Sequence, residues 1–149
     1  MSIWFASPTI EDANRRMQHV LPGHMGIVIT EFGDDYLRGN MPVEARTHQP
    51  IGILHGGASV VLAETLGSVA ANYAVDPATH YCVGQEINAN HIRPVKSGLV
   101  TGTARPIHLG SRSQVWGIEI RDSQERMVCI SRLTIAVVDA KAIAAGVRA

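Results

Sequence analysis

The sequence predicts an α+β fold in which an antiparallel sheet packs on one long helix. Three observations predict it. The run that follows Gly57 and extends to about Tyr73 is apolar almost all round, with Ala58, Val60, Val61, Leu62, Ala63, Leu66, Val69, Ala70 and Ala71, and a helix apolar on every side belongs in a core. The segments after it alternate apolar and polar residues and are joined by short turns. Helix and strands are also segregated along the chain, with no βαβ alternation, and this order favours an antiparallel sheet over a parallel one.

The elements follow in order. Thr9 reads as the N-cap of a short first helix, with Asp12 three residues on in a capping-box-like pattern. Ile10, Ala13 and Met17 share one side of it, and Pro22-Gly23 breaks it. Residues 24–43 read as two strands: Met25, Ile27 and Ile29 alternate with Gly26, Val28 and Thr30, Gly33-Asp34-Asp35 turns the chain, and Leu37, Gly39 and Met41 oppose Tyr36, Arg38 and Asn40. A loop over 44–56 carries Arg46, Thr47, His48 and Gln49, and Pro50 biases Gln49 to extended backbone. After the long helix, Asp76-Pro77 ends the helical run. Four strands follow. Tyr81 to Val95 is polar for a strand, with Glu86, Asn88 and Asn90 on one side and Ile87, Ala89, His91 and Arg93 on the other. Gly98 to Ile107 comes next, then a turn at 108–112. Gln114, Trp116, Ile118 and Ile120 mark the third strand, Asp122 to Arg126 a second turn, and Met127 to Val138 the most apolar strand, with Arg132 the odd residue out. The Ala-rich tail, 139–149, is expected to fray or to end in a helical turn.

Composition bounds the function. The chain has 149 residues, enough for one domain with its own core, and 1–149 is read as a single domain. Lys and Arg (13) balance Asp and Glu (13), which leaves no electrostatic footprint for nucleic acid or an anionic membrane. Glu64 interrupts the longest apolar run, short of the roughly 20 residues a membrane span needs. No signal peptide is read at the N-terminus, and Cys82 and Cys129 read as reduced core residues with no metal spacing. A soluble cytoplasmic protein is the expectation. The seven histidines are scattered and give no metal-ligand pattern, so neither a metal nor a cofactor is expected.

Glu64 is the residue that asks for an explanation. It is the one charged group in the long apolar run, with no Lys or Arg there to pair with it, and ionised carboxylates are rarely buried alone. Glu64, Ser68 and Asn72 fall at i, i+4 and i+8 on one helix face. The helix opens with His55-Gly56-Gly57, and a helix N-terminus presents free N–H groups and partial positive charge. Such an end can hold an anion or polarise a carbonyl.

The run HGGASVVLAETLGS (55–68) resembles the signature of the hotdog-fold acyl-CoA thioesterases, as do MPVEARTHQPIGILHGG (41–57), VGQEINANHIRPV (83–95) and HLGSRSQVWGIEI (108–120). The likeness runs from about Leu21 to Val138 and is greatest to the branch of the 1,4-dihydroxy-2-naphthoyl-CoA hydrolases and the enterobactin-pathway proofreading thioesterase. It implies a hotdog fold, a sheet wrapped around the long helix. It implies hydrolysis of acyl thioesters, on coenzyme A or an acyl carrier protein, with aryl, hydroxyaryl or medium-chain acyl groups. In that pattern the Gly56 amide polarises the thioester carbonyl, Gln49 and His55 orient it, and Glu64 acts as general base or nucleophile. Ser68, one turn beyond, is placed to hydrogen-bond the carboxylate or its water. By motif position His91, Arg93, Ser111 and Arg112 would meet coenzyme A. Ile53, Leu54 and Val61 are the apolar residues expected around the acyl group. Glu64 lies eight residues, some 12 Å of helix, beyond Gly56, too far for one carbonyl carbon to reach both on one chain. The family arrangement answers this with a homodimer whose active sites are shared, and its dimers pair into homotetramers. Two other functions fit parts of the pattern: a hydratase or dehydratase built on His55 and Glu64, and a non-catalytic acyl-CoA-binding module.

Overall fold

A computed structural model describes residues 2–142. It has a first helix α1 (Ile10–Met17), a four-residue helix α2 (Leu21–His24), strands β1 (Val28–Phe32) and β2 (Leu37–Val43), and a 3-10 turn at Ala45–Thr47. The long helix α3 (Gly56–Tyr73) and strands β3 (His80–His91), β4 (Gly98–Leu109), β5 (Ser113–Asp122) and β6 (Met127–Asp139) follow. The six strands form one sheet in the order β1-β2-β4-β5-β6-β3, and every pairing is antiparallel. Helix α3 packs across β2 to β6. The predicted α+β class is therefore the observed one. Tail residues 140–142 begin a helical turn, and 143–149 lie outside the described residues.

The core forms where α3 meets the sheet. Leu62, Ala63, Leu66, Ala70 and Ala71 of α3 are buried with Val100, Trp116, Ile118, Ile120, Leu133 and Ile135 of the sheet. Each large apolar side chain moved out of water contributes about 1.5–3 kcal/mol. Gly102 permits the closest approach, since a Cβ there would stand 2.5 Å from Leu66 Cδ1. Trp116 Nε1 donates to Gln114 Oε1 (2.9 Å), which satisfies both buried polar atoms.

Several local expectations change. Thr9 caps α1, accepting from Asp12 N–H (3.2 Å), but the Asp12 carboxylate does not return the bond. It turns instead to Arg16 Nε (2.8 Å) and to the Tyr73 hydroxyl (2.9 Å). Ile10 is exposed, while Ala13 and Met17 are buried. Pro22-Gly23 does not end a helix; it sits in α2, where Pro occupies the first turn, a position whose N–H has no intrahelical partner to lose. The first strand accordingly begins at Val28, not near residue 24. Gly56 and Gly57 belong to the first turn of α3. Strand β3 ends at His91, short of Val95, and β4 runs on to Leu109.

Candidate functional site

The loop between β2 and α3 is folded back on itself. Pro50 occupies the second position of a turn closed by Gly52 N–H donating to Gln49 C=O (2.9 Å). Gly52 takes the left-handed conformation, φ 77°. Gln49 N–H then donates to Ile53 C=O (2.8 Å), and His55 N–H to Thr47 C=O (2.8 Å). Thr47, almost fully buried, donates from its hydroxyl to Pro42 C=O (2.9 Å) and anchors the loop. Leu54 N–H donates to Val95 C=O (2.8 Å), which ties the loop to the segment after β3. The sequence pattern Gln-Pro-x-Gly thereby brings Gln49 beside the start of α3.

At that start, His55 is the N-cap. Its Nδ1 accepts from Gly57 N–H (2.8 Å), so the neutral ring carries its proton on Nε2 and offers that N–H outward. The Gly56 N–H finds no acceptor among the described residues. His91, at the end of β3, lies against Gly56: a Cβ on residue 56 would stand 2.8 Å from His91 Nε2. Gln49, Gly56, His91 and Arg93, with Ile53 and Leu54, line a cavity of about 280 Å³. One chain thus brings the Gly56 residue at the helix N-terminus, Gln49, His91 and Arg93 around one opening.

Glu64 is not part of that cluster. It is half-buried two turns down α3 and faces β3 near its beginning, where its Oε1 would stand 2.6 Å from a Cβ on Gly84. A β-bulge between Gly84 and Glu86 marks the place. Among the described residues no hydrogen bond or cation reaches the Glu64 carboxylate, and Ser68 does not bond to it. Asn72 has the structural task on this face. Its side chain accepts from Cys82 N–H (2.9 Å) and donates to Cys82 C=O (3.0 Å), which pins β3 to the helix. Sequence reading singled out neither Gly84 nor the Asn72 clamp. An isolated glycine inside a strand was the available signal for the first.

The remaining predicted residues divide between the two ends of β3. His91 and Arg93 lie at the Gly56 end. Ser111 and Arg112 form the exposed β4–β5 turn, where Arg112 C=O accepts from Val137 N–H (3.0 Å). Ser113 pairs with Ala136, which pairs with Val83, so this turn lies level with the Glu64 end. Val83 and His91 are eight residues apart along the strand, about 26 Å at 3.3 Å per residue. Within one chain the four expected coenzyme A residues are therefore not united. Val61, expected at the acyl group with Ile53 and Leu54, is half-buried and packs against the core.

The chain matches the Thioesterase superfamily over residues 51–129. It is 50% identical over 135 residues to a 1,4-dihydroxy-2-naphthoyl-CoA hydrolase of Escherichia coli K12, covering 91% of this chain and 98% of the relative. A crystal structure of a mutant thioesterase from Pseudomonas aeruginosa, in which a glutamine is replaced by alanine, superposes with a TM-score of 0.92. Its sequence is 48% identical, and the match covers 93% of this chain and 99% of that one. A thioesterase structure from Haemophilus influenzae gives a TM-score of 0.90 at 46% identity, covering 92% and 95%. Among the described residues no helix is long and apolar enough to cross a membrane.

Proposed function

The chain belongs to the thioesterase superfamily, and on that premise we propose that it hydrolyses acyl thioesters of coenzyme A or an acyl carrier protein, as one catalytic domain working in a homodimer. The observation that carries the mechanism is Gly56, the first residue of an 18-residue helix, with no acceptor for its N–H among the described residues and lining a cavity with Gln49 and His91. A thioester carbonyl oxygen accepts from that amide, and the partial positive charge of the helix end stabilises the oxyanion that develops on it. His55 Nε2–H and the Gln49 amide hold the acyl thioester in place. Glu64 then acts at the carbonyl carbon, as base for a water or as nucleophile, with no cation beside it to quench its charge. An aryl or medium-chain acyl group suits the apolar surroundings.

The dimer reading rests on β3. It is the last strand of the sheet, its outer edge is unpaired among the described residues, and Tyr81 and Val83 expose apolar surface there. A bare apolar edge is a template for another strand. Pairing β3 antiparallel with the same strand of a second copy, Gly84 opposite His91, is a two-fold operation. It carries Glu64 of the partner subunit, which overlies Gly84, to the Gly56–His91 cluster. The same register brings Arg112 of the partner subunit, level with Val83, to the end of the paired sheets where Arg93 lies, about three strand widths or some 14 Å from β3, within the span of a coenzyme A. One operation thus supplies what each chain lacks.

The test is free-thiol release from a panel of aromatic and aliphatic acyl-CoAs by wild type and Glu64→Ala. Wild type is expected to release thiol and the variant to lose several orders of magnitude in kcat. A folded variant with near-normal turnover overturns the role of Glu64. Wild type without activity on any member overturns coenzyme A thioester hydrolysis.

A further inference from the structure

The sheet ends in two edge strands, β1 and β3, and the unpaired N–H and C=O groups of an edge strand are a template for another chain. The two edges differ. At the start of β1 the outward positions are occupied from within the chain. Asn14 of α1 sets its side-chain amide against Ile29: Nδ2 donates to Ile29 C=O (2.9 Å), and Oδ1 accepts from Ile29 N–H (2.8 Å). These are the two bonds that a neighbouring antiparallel strand would make to that residue. Two residues earlier, Ile27 N–H donates to Pro22 C=O of α2 (2.9 Å). Just beyond Ile29 a bulge before Glu31 breaks the ladder, and bulges twist an edge out of pairing geometry.

Helix α1 holds Asn14 in place. Ala13 and Met17 bury its apolar side, and Asp12 accepts from the Tyr73 hydroxyl of α3 (2.9 Å). Asparagine is a poor residue for a helix interior, where alanine is the best, so helix formation does not account for Asn14; the paired bonds to Ile29 do. Strand β3 carries the same device over its beginning only, where the Asn72 amide bonds both Cys82 N–H and Cys82 C=O. From Gly84 to His91 the one side chain that bonds the backbone, among the described residues, is Ser131, which reaches Asn88 C=O (2.8 Å) from the β6 side. The outer edge of β3 is thus unguarded over the same stretch that the proposed dimer pairs.

We propose that Asn14 is an edge guard: its amide stands in for a neighbouring strand at Ile29 and closes β1 to pairing, so that strand pairing between subunits is confined to the unguarded length of β3. The partner excluded is a second copy of this chain. Pairing β1 with β1 of another copy is a two-fold operation like the pairing of β3. With both edges open, each copy would pair twice, and sheets would join end to end without closure. Closure at β1 belongs to the fold and holds whatever thioester the site takes.

The experiment follows weight-average mass against protein concentration, by analytical ultracentrifugation, for wild type, Asn14→Ala and Asn14→Ala/Val28→Lys. Circular dichroism checks folding. Wild type is expected to stop at one limiting mass. Folded Asn14→Ala is expected to exceed it by about twofold or more, since each β1 pairing joins two assemblies. Val28 is 48% exposed beside Ile29, and a lysine there brings like charges together across a β1–β1 pair, so the double variant is expected to return to the wild-type mass. Folded Asn14→Ala at the wild-type mass overturns the inference. Growth that Val28→Lys does not suppress also overturns it, because the association then lies elsewhere. If Asn14→Ala does not fold, hydrogen exchange of wild type decides: the Ile29 amide is expected to be protected about 10³-fold or more, and exchange within about tenfold of an unstructured chain overturns the guard.

Discussion

The Glu64 carboxylate occupies the space that a side chain at Gly84 would need, with Oε1 2.6 Å from the ideal Cβ position. The obstructing atom is the end of a flexible side chain, so a methyl at residue 84 displaces the carboxylate and leaves the backbone in place. Gly84→Ala is therefore expected to keep its melting temperature within a few degrees and lose about 10²-fold in kcat, the effect of an ångström-scale misplacement. Turnover equal to wild type would mean that the position of Glu64 over Gly84 does not matter to the chemistry.

Shared sites predict complementation. In the proposed homodimer, Glu64→Ala and His55→Ala are each expected to spoil both sites. In a mixed dimer one site combines the intact His55 of one subunit with the intact Glu64 of the other. Random pairing makes half the dimers mixed, each with one good site, so mixing equal amounts after reversible dissociation should recover roughly a quarter of wild-type activity. Recovery no better than the sum of the two variants would place each site within a single chain.

Asp122 predicts a pH dependence of stability. Arg126 Nε (2.8 Å) and the N–H groups of Gln124 (2.9 Å) and Arg126 (3.0 Å) donate to its carboxylate. These bonds, the Arg126 side chain first, hold its pKa below the ordinary value against the opposing effect of burial. A group whose folded pKa is depressed contributes stability above its unfolded pKa, about 4, and loses it as pH falls through the folded value. Melting curves should show wild type above Asp122→Asn at pH 7, with the gap closing below pH 4. A gap constant with pH would show that the loop bonds do not depend on ionisation.

Cys82 is predicted to be chemically inert. Burial raises its thiol to about 11, and the S–H points at Ala71 C=O (3.5 Å). The thiolate is the reactive form, so neither Cys82 nor buried Cys129 should be alkylated by iodoacetamide at pH 7.5 in the folded protein, and both should react in denaturant. Rapid native labelling of Cys82 would mean that β3 detaches from α3 despite the Asn72 clamp.

The legible part of this protein is the part carried by neighbours in sequence. The apolar run after Gly57 specifies a buried helix. The alternation of Gln114, Trp116, Ile118 and Ile120 specifies a half-buried strand, and all four are buried. Gln49-Pro50, His55-Gly56-Gly57 and Glu64 carry the family likeness, and thioester chemistry with it. Local patterns were less reliable where two structures share one composition: Pro22 ends one helix or begins another with equal ease.

Residues distant in sequence left no such trace. Nothing in the order of the strands along the chain says that β3 pairs with β6 and closes the sheet with a bare edge, because that order is settled by long-range pairing and burial. Nor does spacing say that Gly84 makes room for Glu64, that His91 rests on Gly56, or that Ser111-Arg112 and His91-Arg93 stand at opposite ends of β3. The sequence by itself determined the elements, the family and the cast of reactive groups, since these follow from side-chain chemistry and short-range periodicity. The tertiary structure alone decided which of those groups meet, since contact between distant residues depends on how helix and sheet pack together.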